Sequence, residues 1–81
     1  MKVSIQVRLK NGILDPQGKT VNNALHHLGF KNIQNVRIGK LIEFDIREAD
    51  KKKASVIIED ACKKLLSNPV IEDFSYVLGE D

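Results

Sequence analysis

Two adjacent histidines, His26 and His27, and a single cysteine, Cys62, are the first candidates for chemistry in this 81-residue chain. Neighbouring positions on a helix point about 100° apart, so the two imidazoles cannot grip one metal ion as an i, i+4 pair would. Cys62 has no histidine near it in sequence and falls on an apolar stripe, which makes it a small core hydrophobe. No serine sits in a nucleophile elbow, and no pair of carboxylates is placed for acid–base work. The glycines (Gly12, Gly18, Gly29, Gly39, Gly79) are scattered, with no phosphate-cradling loop. What remains is the chemistry of contact, carried by charged and amide side chains in three polar loops: Lys10–Gly18, Val36–Lys40 and Leu65–Phe74.

The elements that must position those loops follow from periodicity. Val3, Ile5, Val7 and Leu9 alternate with Lys2, Ser4, Gln6 and Arg8, the pattern of a half-buried strand. Asn11-Gly12 breaks it. Asp15-Pro16 then supplies an N-cap carboxylate and a proline at the first helical position. Val21, Ala24, Leu25 and Leu28 form one helical stripe, closed by Gly29. Val36 and Ile38, followed by Ile42, Phe44 and Ile46, predict a hairpin. A three-residue loop around Gly39-Lys40-Leu41 pairs Ile38 with Ile42, Val36 with Phe44, and Arg37 with Glu43. Asp50 caps a second helix whose stripe is Ala54, Ile58, Ala61, Cys62 and Leu65, widened by Ile57 and Leu66. Lys51-Lys52-Lys53 in its first turn is a solvated basic patch. Asn68-Pro69 stops the helix. Phe74, Tyr76 and Leu78 alternate in a last strand, and Glu80-Asp81 is an acidic end.

The order β-α-β-β-α-β predicts one α+β domain over residues 1–81. It is a ferredoxin-like fold, with a four-stranded antiparallel sheet of order 4-1-3-2 and two helices on one face. A chain this short buries only about 60% of its unfolded surface, so the core is thin. Leu41, Val70, Ile71 and Val77 fit neither core nor solvated surface. Together with open sheet edges they predict self-association.

Composition narrows the function classes. Residues 1–40 hold seven Lys or Arg and one acid, Asp15, for +6; residues 41–81 hold six against ten acids, for −4. That split predicts unlike surfaces that meet, within the fold or between copies, rather than a uniformly basic nucleic-acid binder. The outward residues of the expected central strands (Ser4, Gln6, Arg8, Glu43, Asp45) include no aromatic on which RNA bases would stack, so no nucleic-acid partner is expected. No apolar run approaches the ~18–20 residues of a membrane span, and the amino terminus lacks the apolar block of a signal peptide. With one cysteine there is no intrachain disulfide, and a cytoplasmic location is expected. An ACT-like regulatory domain, binding a small molecule by itself, is the alternative, because such sites form from loops between copies.

The three loops also carry a resemblance. Leu-Asp-Pro-Gln-Gly at 14–18, Val-Arg-Ile-Gly-Lys at 36–40 and Asn-Pro-Val-Ile-Glu-Asp-Phe at 68–74 stand in the same order as in the small S subunits (PurS) of phosphoribosylformylglycinamidine (FGAM) synthase, and the chain resembles that family from Val3 to about Tyr76. The resemblance implies a non-catalytic subunit of an ATP-dependent C–N ligase in purine biosynthesis. In such an enzyme a large subunit binds formylglycinamide ribonucleotide with ATP and magnesium, and a glutaminase subunit releases ammonia. The small subunit, a dimer or dimer of dimers without a cofactor of its own, docks the two. The residues implied as interface or loop-fixing groups are Lys10, Asp15, Arg37, Lys40, Asn68 and Glu72, with none catalytic and none binding metal.

Overall fold

A computed structural model describes residues 1–79; the acidic end Glu80-Asp81 lies outside the described residues. In chain order the elements are β1 (Lys2–Leu9), α1 (Pro16–His27), β2 (Lys40–Asp45), α2 (Lys51–Ala61) and β3 (Glu72–Gly79). A π-helical turn, Cys62–Leu66, continues α2. The sheet is antiparallel with order β2-β1-β3.

Alternation in β1 sets the core. Val3 pairs with Phe44 and Leu78, Ile5 with Ile42 and Tyr76, and Val7 with Lys40 and Phe74. Each row therefore presents one side chain per strand to the same face. Ala54, Ile58 and Cys62 of α2 and its π turn close on that face and, with Val3, Ile5 and Val7, make up the buried core. Tyr76 Oη donates to Glu59 Oε2 at 3.0 Å and ties the sheet to the helix.

Both helix starts form as the sequence predicts. Asp15 Oδ1 accepts the Gly18 N–H at 2.8 Å, and Asp50 Oδ1 accepts the Lys52 N–H at 2.8 Å. At the end of α2 the Ser67 N–H and Oγ–H both donate to the Cys62 carbonyl, which closes an i→i+5 turn. The extra residue rotates the stripe. Ile58, Cys62 and Leu66 face the core, whereas Leu65, expected there, is 82% exposed.

Two expectations need correction. The sheet has three strands, not four: residues 36–39 join no ladder, and the expected hairpin pairing of Ile38 with Ile42 does not form. The reason lies in competing partners. The Ile38 N–H donates to Asp15 Oδ2 at 2.8 Å, and Gly39 presses so close to β1 that a Cβ there would lie 2.5 Å from the Val7 carbonyl. The strands that do form keep the predicted relative order. Second, only α2 covers the sheet. No residue of α1 belongs to the core or packs against it. Val21 and Leu28 of its stripe are exposed, Leu28 by 73%. The radius of gyration is 16.0 Å, against about 12 Å for a compact chain of this length.

Candidate functional site

Antiparallel pairing brings the end of β1 and the starts of β2 and β3 to one edge of the molecule, since Leu9 faces Glu72 and Val7 faces Lys40. All three polar loops therefore converge there. They are joined by side chains that bind backbone.

Asp15 is the hinge of this corner. One carboxylate oxygen caps α1 through Gly18 and the other receives Ile38. These two N–H donors, Gly18 first, and then the nearby Arg37 guanidinium hold its pKa below the ordinary 3.8, against the opposing effect of desolvation. Arg37 does not extend outward. Its Nη1 donates to Asn11 Oδ1 at 3.0 Å, and its Nη2 donates to the carbonyls of Leu9 at 2.6 Å and Lys10 at 3.2 Å. The guanidinium satisfies carbonyls at a loop where no strand partner is available.

Asn68 and Glu72 build the third loop. Asn68 Oδ1 accepts the Val70 N–H at 3.1 Å in an Asx turn, and Glu72 Oε1 accepts the Asn68 N–H at 2.7 Å. The other carboxylate oxygen of Glu72 lies 3.8 Å from Lys40 Nζ, linking β3 to the start of β2. Lys10 enters through its main chain, its N–H donating to the Ile71 carbonyl at 2.8 Å. The corner thus gathers all six residues singled out in the sequence. Between the Asp15 loop and the Lys40–Glu72 pair lies a cavity of about 410 Å³ that Arg8 and Gln17 also line.

Four further residues shape the corner. Asn11 receives Arg37, Arg8 lines its cavities, and Gly18 and Gly39 permit the close approach of the chain. At Gly18 an added Cβ would strike the Val36 carbonyl. The sequence marked Gly39 as part of a turn and Arg8 as an outward strand residue, but nothing local reveals a contact made across more than fifteen residues.

The reactive candidates lie elsewhere. Burial, and then Glu59, pushes the Cys62 thiol up from its ordinary pKa, which disfavours a thiolate. His26 Nε2 is 2.7 Å from the Ile33 carbonyl and so carries the proton as donor. Among the described residues no group of three His, Cys, Asp or Glu side chains is placed to hold a metal ion. Among the described residues no helix is long and apolar enough to cross a membrane. The corner can recognise a surface; it contains no nucleophile–base pair.

Comparison with known families places the chain as a whole. Residues 2–80 match the family model described as PurS: phosphoribosylformylglycinamidine (FGAM) synthase. The chain belongs to the PurS family. It is 44% identical over 79 residues to the phosphoribosylformylglycinamidine synthase subunit PurS of Bacillus subtilis (strain 168), covering 98% of this chain and 93% of that one. The crystal structure of B. subtilis PurS superposes with a TM-score of 0.88 at 44% identity, over 98% of both chains. A chain of the structure described as PurLQS from Thermotoga maritima superposes with a TM-score of 0.86 at 32% identity, over 94% of this chain and 93% of that one. The chain is accordingly a small subunit of FGAM synthase, a ligase of purine biosynthesis.

Proposed function

We propose that this subunit works without catalytic residues of its own, docking the glutaminase subunit to the synthetase subunit and supporting transfer of ammonia between them. The observation that carries this is the corner itself. Three loops are locked by side-chain-to-backbone bonds into a fixed surface that has no reactive centre. Ammonia made at one site and used at another must be kept from water, and a rigid piece that aligns two partners serves that need. ATP and magnesium belong, on this reading, to the large subunit, where formylglycinamide ribonucleotide becomes the amidine, and the assembly is cytoplasmic.

Self-association is part of the proposal. The α1 stripe has no cover from its own sheet, and β2 pairs on one side alone. We infer that a second copy supplies the cover, as a dimer or a dimer of dimers. In that assembly the segment 36–38 and α1 complete the four-stranded ferredoxin-like arrangement that one chain leaves open.

Reconstitution tests the docking role. Omitting this subunit from a mixture of the other two should depress glutamine-driven turnover while turnover on added ammonium salt persists. Equal glutamine-driven rates with and without it would overturn the proposal. Melting of the isolated chain that rises with an effector would instead support the small-molecule-sensing alternative.

A further inference from the structure

The sheet corner has a second side, away from the carboxylates of Asp15 and Glu72. On the sheet face away from α2, beside the start of β2, lies an open cavity of about 490 Å³ lined by Gln6, Arg8, Asn11, Arg37, Lys40 and Leu41, among others, and by no carboxylate. Asp15 and Glu72, the acids nearest to Arg37 and Lys40, line the opposite cavity instead. Arg8 makes one contact on this side, Nη2 to Gln6 Oε1 at 3.2 Å. Asp73 stands across from Arg8 on β3, and no ion pair joins them among the described residues. Arg37 is held by its three acceptors, so its remaining N–H groups are fixed in direction. Leu41 lies among these polar groups and is 60% exposed.

We propose that this cavity is the seat of an acidic segment of a partner subunit, with Arg8 and Arg37 taking its carboxylates and Leu41 meeting an apolar neighbour. The inference rests on the docking role proposed above and assigns it a place. The Arg8 guanidinium can match a carboxylate bidentately. Arg37, whose Nη2 hydrogens are spent on the Leu9 and Lys10 carbonyls, adds charge and single N–H groups and, being fixed, loses little freedom on binding. An exposed leucine beside two arginines has the make-up of an interface centre, where arginine is enriched. Small-molecule sites, by contrast, enclose most of their ligand in apolar walls. This cavity is open, mixes the heads of Arg8, Arg37, Gln6 and Asn11 with Val7, Ile38 and Leu41, and has no aromatic ring.

The test uses Arg8→Gln, which removes a cation whose head touches only Gln6, and leaves the structural Arg37 in place. Binding of the full-length chain to the purified large and glutaminase subunits is measured at several salt concentrations, with Arg8→Lys as the charge-retaining control and sedimentation of the isolated chain alongside. Arg8→Gln should weaken assembly by about tenfold or more and flatten its salt dependence. Arg8→Lys should recover part of the loss, and self-association should not change. Unchanged affinity for the partners would overturn the inference. So would altered self-association, which would make the cavity a contact between copies. A third overturning result is saturable binding of inorganic pyrophosphate by the wild-type chain, seen as shifts of the Gln6, Arg8 and Asn11 amides, which would make it a small-anion site. Failure of the wild-type chain to join the other subunits at all would instead remove the docking role itself.

Discussion

Asp15 shows how one side chain can hold two segments with two oxygens. An asparagine caps a helix about as well as an aspartate, but at this position both oxygens accept N–H groups, from Gly18 and Ile38. Asp15→Asn turns an NH2 toward one of those donors and should lower the melting temperature at neutral pH. The pKa of Asp15 is depressed in the folded chain. Its stabilisation is therefore complete well above the ordinary carboxylate value and is lost as pH falls through the folded value. Melting curves of wild type and Asp15→Asn should stay a constant distance apart down to about pH 5 and converge below about pH 4; a gap that persists in acid would contradict this account. Gly18 gives a second test with a reversed sign. Alanine inside a helix is ordinarily better than glycine by about 1 kcal/mol. Here the new Cβ meets the Val36 carbonyl, so Gly18→Ala should destabilise by about 1–3 kcal/mol in urea unfolding.

Elements differ in how far the sequence reveals them, and the difference is one of range. β1, the two aspartate caps and the stop at Asn68-Pro69 depend on residues a few positions apart, and all are legible in the sequence. The segment 36–39 has strand-like alternation, yet its donors are claimed by the Asp15 carboxylate and the β1–α1 loop more than twenty residues away in sequence. No local pattern reports that. The site behaves likewise: its six polar residues are visible as loop residues, while the roles of Arg8 and Gly18 exist only once the loops meet. The α2 stripe fails at Leu65, where a constant helical period hides a π turn, and it is narrower than expected at Ile57, which is 50% exposed. This sets up a prediction within one element. Ile58 is fully buried and Leu65 is largely exposed. Ile58→Ala should cost about 2–5 kcal/mol, and Leu65→Ala in the isolated chain no more than about 0.5 kcal/mol. Equal losses in urea titrations would mean that the helix keeps its α phase to Leu66.

At the scale of the whole molecule the difficulty is an amphipathic helix with nothing beneath it. An apolar stripe of α1 left in water forfeits the burial that stabilises most helices in proteins. The folded chain extends 48 × 28 × 14 Å, a shape that leaves the β2 side of the sheet, with Ile42 and Phe44, only half covered. A helix that cannot reach its own sheet can reach another, and one two-fold exchange would cover both stripes and both half-open sheets at once. The substitution that tests this must spoil the stripe without spoiling the helix or the core. Leu25→Glu with Leu28→Glu meets that need, because neither residue packs against the buried cluster and glutamate is a good helix former. Sedimentation equilibrium should show wild type as a dimer or larger and the double variant as a monomer, and the variant should melt lower, with a midpoint no longer dependent on protein concentration. A wild-type chain that sediments as a monomer, or a variant that still dimerises, would mean that α1 is covered by a different subunit, and the second copy would lose its place in the account.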